Sequence, residues 1–157
     1  MTLPVDGPNT DGAFRSAAGI PTLQVGSTTA RLVATGAQTA DRYGLFRWDM
    51  SAASGGASPH YHRSISESFY VLDGRIALYD GIDWRDGTAG DFLYLPPGGV
   101  HAFRNDSGAP ASMLILFAPG PPREAYFQEL AERIASSHEG SDEERAAFLA
   151  RHDQYEV

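Results

Sequence analysis

Turn signals cut the middle of this chain into pieces too short for helices. Asp73-Gly74, Asp80-Gly81, Asp86-Gly87, Pro97-Gly98-Gly99 and Ser107-Gly108 recur at short intervals. Asp-Gly between two apolar runs marks a tight hairpin, because glycine accepts the positive φ that such turns demand. The intervening segments are Arg31–Thr35, Tyr43–Met50, Pro59–His62, Glu67–Leu72, Arg75–Tyr79, Ile82–Arg85, Phe92–Leu95, His101–Asn105 and Ala111–Ala118. They are rich in aromatic and branched aliphatic residues, as strands are. In the clearest of them Gly44, Phe46, Trp48 and Met50 alternate against Tyr43, Leu45, Arg47 and Asp49. Short strands at this spacing predict an all-β sandwich or barrel.

The period changes after Pro119-Gly120-Pro121-Pro122. Tyr126, Phe127, Leu130 and Ile134 recur at helical spacing and make one apolar face. Prolines suit a helix's first turn, where the missing N–H costs nothing. A second helix is expected from Ser141, since Ser141 and Glu144 fit the reciprocal capping box, with Phe148 and Leu149 as its apolar contacts. Neither helix can build a core alone, so both are expected to pack on the β-structure. Residues 1–20 are rich in Gly, Pro, Asn, Asp and Thr without periodicity and read as a flexible arm. The expected organisation is an arm over 1–20, a barrel over 21–120 and a helical tail over 121–157. A length of 157 residues suits one domain.

Absences narrow the chemistry. The chain has no cysteine, which removes disulfides, thiolate nucleophiles and zinc–thiolate sites. It also has no lysine, which removes Schiff-base catalysis and the lysine-bearing phosphate loop. The net charge of −8, with arginines scattered singly, argues against nucleic acid and anionic membranes as partners. No apolar run approaches the ~20 residues that span a bilayer. Met1–Gly12 lacks the basic and apolar stretches of a secretory signal, so a cytoplasmic location is expected.

His60 and His62 are two apart, and on a strand such residues face the same side. Glu67 follows past Arg63-Ser64, and His101 follows the turn at residues 96–99. Three imidazoles and a carboxylate make a mixed nitrogen and oxygen donor set for a divalent transition metal. Strand histidines also serve as hydrogen-bonded structural residues, and spacing alone leaves both readings open. His138 and His152 lie in or beside polar helical stretches and read as solvent-exposed.

His60-Tyr61-His62, Glu67 and Gly74 resemble the first cupin motif, and Gly90-Asp91, Pro96, Gly98, His101 and Asn105 resemble the second. The leading glycine of the first motif is replaced by Ser54, with Gly55 and Gly56 beside it. The resemblance implies an antiparallel double-stranded β-helix, a jelly-roll barrel of six to eight strands, on which the two C-terminal α-helices are expected to pack. It implies one divalent metal ion, of iron, nickel, manganese, cobalt or zinc, held by His60, His62, Glu67 and His101. Gly74, Pro96, Gly98 and Asn105 read as structural, and Gly90 and Asp91 as shaping a hairpin.

Strand alternation places Phe69 and Val71 with Glu67, and Phe103 with His101, and Phe46 and Trp48 are assigned to the same wall. Such an apolar cavity suits a flat hydrophobic molecule. Tyr61 is expected to point outward. The tail from Ala118 through Arg123, Tyr126-Phe127 and Leu130 is similar to that of bacterial quercetinase-like cupins, which cleave flavonols with dioxygen. That likeness implies a dioxygenase acting on a small aromatic or enolic molecule, with Glu67 as the catalytic base and Tyr126 and Phe127 lining the pocket. Packing of the same helix on the barrel exterior is the other reading. Two further functions stay open: a non-oxidative, metal-dependent cyclase or isomerase, and a non-catalytic binding barrel. A homodimer is expected.

Overall fold

The computed structural model describes residues 12–157. Strands β1 (Thr22–Val25), β2 (Thr28–Ala34), β3 (Gly44–Met50), β5 (Ser66–Asp73), β8 (Phe92–Leu95) and β10 (Ala111–Ala118) form one antiparallel sheet, ordered β1-β2-β3-β10-β5-β8. A second group faces it. β6 (Arg75–Tyr79) pairs with β7 (Trp84–Thr88) and β9 (Ala102–Arg104), while β4 (His60–Tyr61) pairs with β11 (Tyr155–Glu156). A bridge between His60 and His101 joins these two ladders edge to edge. The result is the double-stranded β-helix, in which consecutive strands cross between two facing sheets.

Alternation decides which residues meet. Phe46, Trp48 and Met50 on β3, Glu67, Phe69 and Val71 on β5, and Met113, Ile115 and Phe117 on β10 all point inward and are buried. The register lays them in rows across the sheet. Trp48, Met113 and Val71 make one row, Phe46, Ile115 and Phe69 the next, and Gly44, Phe117 and Glu67 the third. A carboxylate therefore shares a row with a glycine and a phenylalanine, at one end of an otherwise apolar interior. Ile76, Leu78 and Phe103 close the core from the facing sheet.

Helix α2 (Arg123–Ala135) lays Tyr126, Phe127 and Ala131 onto this core. Helix α3 (Asp142–Arg151) starts with the expected capping box: Ser141 accepts from the Glu144 amide at 3.2 Å, and Glu144 accepts from the Ser141 amide at 2.8 Å. Phe148 stacks on Tyr126 at 5.5 Å, tying α3 to α2. No helix among the described residues is long and apolar enough to cross a membrane.

Several elements differ from the sequence reading. β1, the short helix α1 (Gly36–Thr39) and β11 were not expected. The segment expected over Ile82–Arg85 is shifted, because Asp80 accepts bonds from the Ile82 and Asp83 amides and makes residues 80–83 the turn. Asp86-Gly87 is consequently no turn but lies within β7. Gly87 serves packing there: a Cβ would stand 3.1 Å from both Leu78 and Val71. Of the arm expected over 1–20, residues 1–11 lie outside the described residues. Within the rest, Arg15 bonds the Leu32 and Val33 carbonyls at 3.2 Å, and residues 17–19 form a 3-10 turn.

Candidate metal centre

His60 ends up beside His101 because the first residue of β4 and the residue just before β9 exchange backbone bonds. The His60 amide donates to the His101 carbonyl at 3.0 Å, and the His101 amide to the His60 carbonyl at 2.9 Å. His62 follows two residues on, as the alternation predicts. Glu67 arrives from the opposite sheet. The donor atoms of His60, His62, Glu67 and His101 all lie within 4.8 Å of one another, and all four side chains are buried.

The outer nitrogen of each ring is committed to a backbone carbonyl. His60 Nδ1–H donates to Ser58 at 2.8 Å, His101 Nδ1–H to Gly99 at 2.9 Å, and His62 Nδ1–H to Asp153 at 2.6 Å. Such bonds fix the tautomer and turn the Nε2 atoms toward a common point, the arrangement found behind metal-bound histidines. Glu67 Oε2 sits at that point, 2.6 Å from His101 Nε2 and 2.9 Å from His62 Nε2.

The protonation pattern follows from this crowding. Burial pushes the Glu67 carboxyl up, but the His101 charge and the bonds from His101 and His62 more than offset it. The carboxyl is held well below its usual range. Burial disfavours the imidazolium of His101, yet the adjacent Glu67 charge and hydrogen bond win and raise it. Burial, then the neighbouring His101, push His60 down to about 4. The cluster on its own therefore keeps a proton between Glu67 and His101. A divalent cation supplies the same compensating charge and takes the same lone pairs once that proton leaves. Three imidazole nitrogens and one carboxylate fit such an ion, and these four residues can hold it.

Above the cluster is a cavity of about 370 Å³. It reaches His60 and Glu67, and Trp48, Phe103, Tyr126 and Phe127 are among its walls. Helix α2 thus roofs the cavity and is not confined to the barrel exterior. Phe46, Phe69 and Val71, assigned to the pocket from sequence, face inward but are sealed in the core at 0% exposure. They back the walls: the Phe46 ring lies 5.0 Å from Phe127, and the Phe69 ring 5.7 Å from Phe103. Tyr61 points away from the cluster and stacks on Tyr155. His138 is exposed as expected. His152 is not, because it packs on Tyr126 and Phe148 and bonds Glu129 at 3.2 Å.

Sequence reasoning gave no role to Arg123, Asp153 or the Arg145–Glu156 pair. Arg123 lines the cavity and is buried. Its signal was readable, since it shares a helical face with Tyr126, Phe127 and Leu130. Arg145 and Glu156 bond at the rim, where Ser58 Oγ also donates to Glu156 at 3.1 Å. Asp153 acts partly through its backbone carbonyl, which no residue type announces.

A double-stranded β-helix that buries three histidines and a glutamate at the foot of a cavity, in a cluster that could hold a metal ion, has the architecture of a cupin. Residues 47–117 match the family described as Cupin domain. It is 35% identical over 86 residues to quercetin 2,3-dioxygenase of Bacillus subtilis (strain 168), a match covering 52% of this chain and 22% of that protein. The chain spans half or less of the length of the curated relatives it matches. In structure it resembles an RmlC-like cupin from Shewanella frigidimarina, with a TM-score of 0.60 and 17% identity, covering 70% of this chain and 93% of that one. It also resembles the polyketide cyclase RemF from Streptomyces resistomycificus, with a TM-score of 0.59 and 22% identity, covering 71% and 83%.

Proposed function

We propose that this chain is a metal-dependent dioxygenase of the quercetinase-like kind, acting on a flavonol-like or other aromatic or enolic small molecule. The observation that carries the reading is the convergence of three imidazoles and the Glu67 carboxylate at the foot of an aromatic-walled cavity. The 35% identity to a quercetin 2,3-dioxygenase supports it. His60, His62, Glu67 and His101 would hold iron, nickel, manganese, cobalt or zinc. Such an ion polarises a bound oxygen and brings an enolic substrate and dioxygen together.

The remaining steps belong to the chain. Trp48, Phe103 and Phe127 line the cavity and would contact a planar ring and exclude water from it. Glu67 would take the proton of a substrate hydroxyl placed against it once substrate binding displaces the His62 and His101 bonds that hold its carboxyl low. His60, His62 and His101 would turn their Nε2 atoms to the ion, each ring held by its Nδ1–H bond. The chain acts as a homodimer in this reading. The aromatics Tyr70, Phe92 and Tyr94, exposed on the outer face of β5 and β8, offer a second copy its seat.

The test is elemental analysis of protein purified without chelator, beside a His60→Ala/His62→Ala control, followed by dioxygen uptake with flavonols. About one equivalent of metal that the control lacks, with flavonol-dependent uptake, is the expected result. Turnover that proceeds without dioxygen would replace the oxygenase by a cyclase or isomerase. Failure to take up any metal on reconstitution would leave a binding barrel. Light scattering checks the dimer, and a monomeric mass rules it out.

A further inference from the structure

Arg123 is a buried cation whose hydrogen-bond partners among the described residues are both uncharged. It is 3% exposed and lines the cavity that reaches Glu67 and His60. Its Nη1 donates to the His152 carbonyl at 2.8 Å and its Nη2 to Gln154 Oε1 at 3.0 Å. Nε has no partner among the described residues. Aromatic rings cover the guanidinium, Tyr126 at 4.1 Å and Phe117 at 4.8 Å from its central carbon. Buried charges are ordinarily paired, because an unpaired one forfeits its hydration with nothing in exchange. Glu67 shares the cavity, but its bonds go to His62 and His101.

We propose that Arg123 is the anion-recognition residue of this cavity. It takes a carboxylate or enolate oxygen of a small aromatic or enolic acid, while another oxygen of the same molecule lies at the His60–His62–Glu67–His101 cluster. The inference deepens the proposed function and rests on it for the second half of that statement. Charge balance agrees. With a divalent ion in place and Glu67 ionised, Arg123 leaves the cavity with excess positive charge, which an organic anion neutralises. Arginine is suited to the task, since its planar fork meets a two-oxygen anion with two parallel bonds and stacks between rings meanwhile. A cavity of about 370 Å³ lies at the small end of ligand sites, within reach of a compact aromatic molecule.

The experiment compares salicylate with salicylamide by calorimetry on cobalt-loaded and chelator-treated protein. The two probes share ring and hydroxyl and differ in charge. Wild type is expected to favour salicylate. In Arg123→Gln the salicylate-to-salicylamide affinity ratio is expected to fall at least about tenfold, the scale of a lost charge-assisted bond. Salicylamide affinity and cobalt stoichiometry are expected to stay near the wild-type values. A ratio unchanged in the variant overturns the proposal, as does equal weakening of both probes, which would mark Arg123 as a brace for the tail. A wild type that shows no preference for salicylate also overturns it. Should Arg123→Gln fail to fold, Arg123→Lys decides: it keeps the charge but not the fork, and the ratio must still fall. A protein that binds no cobalt defeats the metal reading separately, and Arg123 is then judged on the same ratio in chelator-treated protein.

Discussion

The Nδ1–H of His62 donates to the backbone carbonyl of Asp153 at 2.6 Å, across 91 residues of chain. A ring that the first barrel motif supplies is thus oriented by the extreme tail. The same aspartate also holds the turn after His62: its carboxylate accepts from the Arg63 amide at 3.0 Å and from the Ser64 amide at 2.9 Å. β11 then pairs with β4, so that Glu156 lies opposite His60. Removing residues 152–157 is therefore expected to lower metal affinity about 10–100-fold, the usual cost of losing the group behind a metal-bound histidine. Competition against a coloured chelator measures it. Wild-type affinity in the truncated chain would show that the His62 ring needs no support from the tail.

The barrel was legible because its strands are short, alternate cleanly and are separated by turn residues. Tyr43–Met50 shows this best, since its expected inward set is the set found buried. The four cluster residues were legible because two strand neighbours and two motif positions carry them. What escaped depended on contacts distant in sequence. β11 is two residues long and exists only because β4 is there to pair with it. Phe46, Phe69 and Val71 have the right parity, but alternation fixes a face and not a depth, so it could not tell wall from backing. The glycine missing at position 54 proves to matter less than its neighbour, because it is Gly56 that the backbone of Phe103 approaches.

Gly56 supplies a second expectation. A methyl group there would overlap the Phe103 carbonyl oxygen and ring, whereas one on Gly55 would meet nothing within 4 Å. Gly56 also borders the cavity. Gly56→Ala is expected to cost about 1–3 kcal/mol, as overpacking does. Gly55→Ala should stay within about 0.5 kcal/mol of wild type. Urea unfolding of the pair reads the contrast, and equal stabilities would mean that the loop yields freely.

Asp80 gives an expectation in pH. Its carboxylate accepts from the Asp83 amide, Arg85 Nε and the Ile82 amide, which lower it from 3.8 to about 2. A carboxyl lowered by folding stabilises the protein fully above its unfolded value and loses that contribution as pH falls through its folded value. The melting temperature of Asp80→Ala is therefore expected to lie below wild type at about pH 6 and to converge with it between about pH 4 and pH 2. A gap independent of pH would mean that the turn is held by its backbone alone.

Phe127 joins the roof of the cavity to the core beneath it. Its ring lies 4.9 Å from Trp48 and 5.0 Å from Phe46 on β3, 6.1 Å from Phe117 on β10 and 5.2 Å from Tyr126 on its own helix α2, so three elements of the fold meet on one side chain. Phe127→Ala is expected to cost about 3–5 kcal/mol, because a buried ring leaves both lost transfer energy and a hole. Phe127→Leu refills much of that volume and is expected to cost less than about 1.5 kcal/mol. The leucine variant then separates packing from recognition. It keeps the helix seated while removing the flat face that Phe127 presents to the cavity. Under the proposed function, KM for a flavonol rises in Phe127→Leu while metal content stays at the wild-type level. An unchanged KM would assign Phe127 to the core alone and leave Trp48 and Phe103 as the walls that grip the ring.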